Sequence, residues 1–292
     1  MAKFSPTDAV FAGFRFARER PATILIWAAY LLVAIAVTSI AMFDIGGESM
    51  TALGIAASGA SPDPQQIVKL MEDVLPASLF GGLLMTVFGA VLSAAILRVR
   101  LTPGPHSWGG LRLGGEELRM LGAKLLVLLV LFAAETLIAL AASALQAVGV
   151  PAAAALGVGV LLLAGLMVRL SLAGAVSQAE GRINPARSVQ LTKALFWRLL
   201  GAYVLLGAIM LVILVLVTII FTALMGAAAL AGGGGLDQMA LGLLQGRFND
   251  LNPLVLVIYV ASSLVRVWIL VVTAAVFLSV AVDAYDAAVR GG

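Results

Sequence analysis

Few residues in this chain combine an ionisable group with a setting in which chemistry would follow. Glu135, Arg169 and Arg266 each fall inside a long apolar run. A charged side chain near the centre of a membrane span costs on the order of 2.5–3.5 kcal/mol, so it is normally paired or faces a wet cavity. Glu135 stands 13 positions before Val148 and Arg266 stands 13 positions after Pro253. At helical rise, both lie about 20 Å from the same side of the membrane. Arg169 lies nearer the opposite side, within reach of snorkelling. The three form a candidate intramembrane charge network, with Glu135–Arg266 as the favoured pair and Glu135–Arg169 as the second. Such a network reads as a structural ion pair that fixes which spans are neighbours. A proton or anion path through a small secondary transporter is the alternative.

Other chemistries find no residues to carry them. The chain has no cysteine, which excludes disulfides, thiolate metal sites and cysteine nucleophiles. Its one histidine, His106, sits in a turn-rich run without a carboxylate cluster and makes a poor metal ligand. The Gly232–Gly235 run lacks a following Lys-Ser/Thr and is not a phosphate loop. No Ser-His, paired-Asp or HExxH constellation lies within the apolar runs. The expectation is therefore a non-enzymatic protein without catalytic, cofactor or metal residues, an intramembrane hydrolase being the remote exception.

The elements that must position these charges are membrane helices. Of 292 residues, 62% are hydrophobic and 11% charged, against about 25% charged in soluble domains; the mean hydropathy is +1.10. Apolar segments of roughly 20 residues or more occur at about 21–43, 77–99, 119–148, 152–177, 197–231 and 253–282. The first is too long for a signal h-region and is followed by Asp44-Ile-Gly-Gly-Glu, which is no cleavage site. Residues 1–292 read as a single integral membrane domain of six spans.

Charge orients it. Fifteen of the 18 Lys and Arg residues fall before span one, in the connections after spans two and four with their flanks, or in the tail. Lys69 and Arg247 alone lie on the other side, and Arg266 is within a span. The positive-inside rule then puts both termini in the cytoplasm of a multi-pass protein, and the composition suits a bacterial cytoplasmic (inner) membrane. The net charge of +3 is explained as topology, with attraction to anionic lipid headgroups added. Nucleic acid is not needed as a partner.

Ser5-Pro6, Ser61-Pro62, Asn184-Pro185 and Asn252-Pro253 each read as a capping residue followed by proline at the first helical position. Two of these begin amphipathic helices too polar to span. Phe4, Val10, Phe11 and Phe14 gather on one; Val189, Leu191, Leu195, Phe196 and Leu199 face away from Arg187, Gln190 and Lys193 on the other. Both are expected to lie in the headgroup region or to pack on the inner ends of the spans. Trp108 to Lys124 leads into span three similarly, though its glycines weaken a helix there. On the other side, Ile67, Leu70, Met71 and Val74 predict a short amphipathic helix before Pro76, and Leu236–Leu243 repeat this weakly. The fold class is thus all-α and polytopic: six transmembrane helices with interfacial helices, arranged as three tandem hairpins.

One stretch resembles a known group. Arg169-Leu-Ser-Leu-Ala, Glu180-Gly181, Arg187-Ser-Val-Gln-Leu-Thr-Lys193 and Phe196-Trp-Arg-Leu-Leu-Gly201 resemble the membrane domain fused to some bacterial glycerophosphodiester phosphodiesterases, and its stand-alone uncharacterised relatives. Specific similarity covers Arg169 to Tyr203, with Ala284-Tyr285 fitting the group's last cytoplasmic end. The group's phosphodiesterase activity belongs to a soluble barrel bearing histidines and metal-binding carboxylates, so the resemblance implies a membrane-domain fold and a connection with lipid metabolism, not a catalytic residue. The expected role is in membrane lipid or envelope organisation. Expected partners are membrane lipids, another membrane protein or a second copy of the chain.

Overall fold

A computed structural model describes residues 4–57, 64–102, 104, 107–232 and 252–290, and these are helical with short connections. The helices are α1 (Pro6–Glu19), α2 (Pro21–Ala57), α3 (Pro64–Leu101), α4 (Gly115–Ala147), α5 (Ala152–Leu170), α6 (Ala173–Glu180), α7 (Pro185–Thr192), α8 (Phe196–Ala231) and α9 (Pro253–Arg290). A 3-10 turn at Ser107–Gly110 precedes α4. Among the described residues, six stretches are long and apolar enough to cross a membrane. Their large side chains, Phe132, Leu161, Leu211 and Ile219 among them, are exposed along the spans. In water such a sheath would aggregate; in hydrocarbon it is what the solvent requires. The protein is an integral membrane protein of six spans.

Helix ends follow the local chemistry of the sequence. Ser5 Oγ accepts from the Asp8 amide at 3.4 Å, and Asn184 Oδ1 from the Arg187 amide at 3.1 Å, each with proline next. Asn252 Oδ1 accepts from the Leu254 amide at 2.9 Å, beside Pro253. Three helices run further than hydropathy predicts, among them α9, which continues past residue 282 to Arg290. α2 continues past Phe43 across a kink at Gly46, where the Gly46-Gly47 pair gives the backbone the freedom a kink needs. α3 joins the amphipathic segment before Pro76 to the second span as one helix, with Pro76 inside it. The fourth span ends as α5 at Leu170, turns through Ser171 and Leu172, and resumes as α6.

The chain divides into two compact units. The first comprises Met1–Ile26, Gly89–Ala208 and Val272–Gly292. It holds all of α1, α4, α5, α6 and α7, with α4 beside α5, α6 and α7, and α7 also against α5 and α6. Its buried residues include Val10, Ile96, Leu97, Met120, Leu172, Val176, Leu199 and Val276.

The second unit comprises Trp27–Phe88 and Ile209–Val271. Here α2 and α3 pair through Tyr30, whose hydroxyl donates to the Phe88 carbonyl at 3.1 Å and whose ring meets Phe88 edge-on at 6.1 Å. Further along, Gly81 lets Met42 pack close to the α3 backbone. α8 and α9 pair through Ala228, Ala229, Val255 and Ile258. Small residues at these contacts let helices approach where no hydrophobic effect drives them together. The predicted segments at Ser61-Pro62 and Leu236–Leu243 lie outside the described residues.

Candidate functional site

Polar chemistry within the first unit gathers where α3 ends and α4 begins. Arg98, only 8% exposed, is the hub. Its Nε and Nη2 donate to Glu116 Oε2 at 3.0 and 2.7 Å, Nη2 also donates to Glu117, and Nη1 donates to the Gly110 carbonyl. Glu116 in turn accepts from Gln178 Nε2 of α6 at 2.9 Å and pairs with Arg112 at 2.8 Å. One guanidinium therefore ties together α3, the 3-10 turn, α4 and, through Glu116, α6. The planar fork of arginine supports several directed bonds at once, which a lysine ammonium would not reproduce.

The connection is shaped to deliver these groups. Trp108, Gly109 and Gly110 all have positive φ, 54°, 63° and 75°. A Cβ on Gly110 would lie 3.0 Å from Val99 Cγ2 and 3.3 Å from the Ala95 carbonyl oxygen. Glycine here satisfies both the left-handed backbone and the close approach that brings its carbonyl to Arg98. The two carboxylates that follow occupy the first turn of α4, where the helix dipole favours negative charge.

The motif run from Arg169 onward forms a second polar arrangement in the same unit. Ser188 and Thr192 are fully buried on α7. Ser188 Oγ donates to the Arg169 carbonyl at 2.8 Å, and Thr192 Oγ1 reaches the same oxygen at 3.4 Å. That carbonyl lies in the last turn of α5, where backbone acceptors lack helical partners, so α7 caps α5. Gly181 closes α6 with φ 69° and accepts from Arg119 Nη1 at 2.7 Å. Glu180 faces Arg182 and Arg187 at 3.5 and 3.6 Å. The Arg169 guanidinium lies 5.7 Å from the centre of the Phe196 ring.

The predicted charge network is distributed as follows. Glu135 is exposed on α4 and Arg169 is exposed at the end of α5, both in the first unit; among the described residues neither takes part in an ion pair. Arg266 is exposed on α9 in the second unit. His106 lies outside the described residues. Among the described residues, no cluster of histidine and carboxylate side chains is placed to hold a metal ion.

The buried faces of the amphipathic helices include only some of the apolar residues that mark them in the sequence. On α1, Ala9, Val10, Gly13, Phe16 and Ala17 are buried. Phe4 is also buried, Phe14 is half-buried, and Phe11 is 56% exposed. The inward face packs on α9: a Cβ on Gly13 would sit 2.9 Å from Val276 Cα. On α7 the buried pair is polar, Ser188 and Thr192, while Leu191, Leu195 and Phe196 are half-buried. The Arg169 carbonyl draws Ser188 and Thr192 inward there, since an acceptor in the last helical turn lacks a helical partner.

Sequence reasoning counted Arg98 and Arg112 only as topogenic charges and passed over Glu116 and Glu117. A signal was present: adjacent acids are out of character in a connection whose other charges are arginines. The chain matches no protein-family model, no curated protein and no solved structure.

Proposed function

We propose that this chain is a non-enzymatic protein of a bacterial cytoplasmic membrane, both termini inside, that acts in lipid or envelope organisation by holding anionic lipid around its basic end. One observation carries the reading. Arg15, Arg18, Lys193 and Arg198 are exposed there and form no ion pair among the described residues. Exposed aromatic residues lie on the same segments or near them: Phe11 on α1, Trp197 (79% exposed) at the start of α8, and Trp108 (77%) in the 3-10 turn. Tryptophan rings settle at the headgroup level, and each basic residue near an anionic surface contributes about 1 kcal/mol of attraction. The resemblance of Arg169–Tyr203 to the membrane domain of glycerophosphodiester phosphodiesterases supports the same direction.

The reading makes two expectations. Reporters fused after Gly292 or within residues 100–116 and 180–195 should read cytoplasmic, and those within 50–70 or 233–248 external, following the skew in Lys and Arg. An external C-terminus would overturn the orientation. Protein purified in mild detergent should retain anionic phospholipid over zwitterionic phospholipid in native mass spectrometry, with the preference falling as salt rises. Indifference to lipid charge would refute the function, and solute uptake into proteoliposomes that requires Glu135 would replace it with transport.

A further inference from the structure

Within the first unit, a cavity of about 240 Å³ opens between α1 and the last turn of α3. Its walls are Ala12, Arg15, Phe16, Glu19, Arg20 and Arg100. The α1 residues at 12, 15, 16 and 19 follow the i, i+3, i+4, i+7 spacing of a single helix face. Arg20 ends that helix, and Arg100 comes from α3. Three guanidiniums thus converge on one small space from two helices.

Their placement is held. The Phe16 ring, buried against the unit, has the Arg20 guanidinium 5.5 Å and the Arg100 guanidinium 5.6 Å from its centre, within the range of cation–π attraction. Arg100 is also fixed by Asp283 of α9, at 2.9 Å from its Nη2. Its Nε is buried with no hydrogen-bond partner among the described residues. Arg15 and Arg20 form no ion pair among those residues either. Glu19 offsets one of the three guanidiniums in the wall and Asp283 engages Arg100 from behind, so the wall itself keeps a positive balance.

We propose that this cavity binds a phosphate group, carried either by a phospholipid headgroup or by free phosphate. Guanidinium forks match phosphate oxygens in pairs, and a phosphate supplies the negative charge that a wall of three guanidiniums and one carboxylate favours. The size agrees. Ligand pockets for whole drug-sized molecules run from roughly 300 Å³ upward, so the space suits a phosphate and its nearest atoms, with any acyl chains left outside. Basic pockets between membrane helices commonly take lipid headgroups in this way. The proposal rests on the anionic-lipid reading above and narrows it from a diffuse charged belt to a site.

The test is calorimetric titration of the detergent-purified full chain with dihexanoylphosphatidylglycerol and, separately, with inorganic phosphate. Arg20→Gln should weaken binding about tenfold or more. So should the pair Arg100→Gln with Asp283→Asn, which leaves no stranded carboxylate. Lys69→Gln removes an exposed cation that belongs neither to the cavity nor to the basic end and should leave this affinity within about twofold. Binding of the lipid but not of inorganic phosphate identifies the headgroup as the source; binding of inorganic phosphate alone or equally well identifies free phosphate. Undiminished lipid binding in Arg20→Gln and in the Arg100/Asp283 pair overturns the site. If the unmodified chain still prefers anionic over zwitterionic lipid in that event, the site alone has failed. Loss of that preference in the unmodified chain defeats the broader reading.

Discussion

Replacing Arg98 by methionine should destabilise the protein by about 3–5 kcal/mol, the cost of removing one partner from a buried ion pair. The loss does not fall evenly on the two carboxylates. Glu116 keeps Arg112 and Gln178 and is partly exposed. Glu117 is 4% exposed, bonds to Arg98 through one oxygen, and has no described partner on the other. Without the guanidinium, Glu117 is a buried charge with nothing to compensate it. Adding Glu117→Gln to Arg98→Met should therefore recover part of the lost stability, whereas adding Glu116→Gln should recover little. Arg98→Lys should fall between the native protein and Arg98→Met, since an ammonium keeps the charge but cannot bond two carboxylates and the Gly110 carbonyl in one plane. Thermal unfolding in detergent reads all four variants. An Arg98→Met protein as stable as the native one would show that the cluster contributes nothing to holding α3, α4 and α6 together.

Gly13→Leu should release α1 from α9. The Cβ of any larger residue would meet the α9 backbone at Val276, together with Val276 Cγ1 at 2.9 Å. A helix backbone cannot step aside as a flexible side chain does. Overpacking of this kind typically costs about 1–3 kcal/mol. If α1 lifts away, Val10 and Phe16 lose their burial as well, at roughly 1.5–3 kcal/mol for each large side chain. Spin labels at Ala9 and Ala17, shielded in the native protein, should become accessible to a water-soluble relaxation agent in the variant. A label at Phe11, already exposed, should change little. Gly13→Ala should show the same effect in weaker form. Native-like shielding in Gly13→Leu would mean that α1 is held by other contacts than the Gly13–Val276 approach.

The class of protein and the course of its spans were legible in the amino-acid sequence, because they depend on properties local to each segment. Twenty apolar residues make a span wherever they occur, and Ser5, Asn184 and Asn252 cap helices through bonds to amides two or three residues away. Helix lengths were less legible at Gly46, where the helix resumes beyond a kink, and at Pro76, which sits inside a helix although hydropathy drops before it. What decided the polar sites was neighbourhood. Arg98 meets Glu116 and Glu117 only because a turn of three positive-φ residues folds α4 back beside α3. Arg169 was legible as an intramembrane cation, but its backbone carbonyl, the part that Ser188 and Thr192 engage, has no signature in a sequence. Helical periodicity likewise marks an apolar face without saying which neighbour will cover it. On α1 the covered face is set by the glycine that lets α9 approach, and on α7 by the helix-end carbonyl of Arg169 that Ser188 and Thr192 reach, so Phe11 points outward while Ser188 is buried. These outcomes depend on which helices pack side by side, and in a bilayer small residues and hydrogen bonds select those neighbours where hydrophobicity cannot.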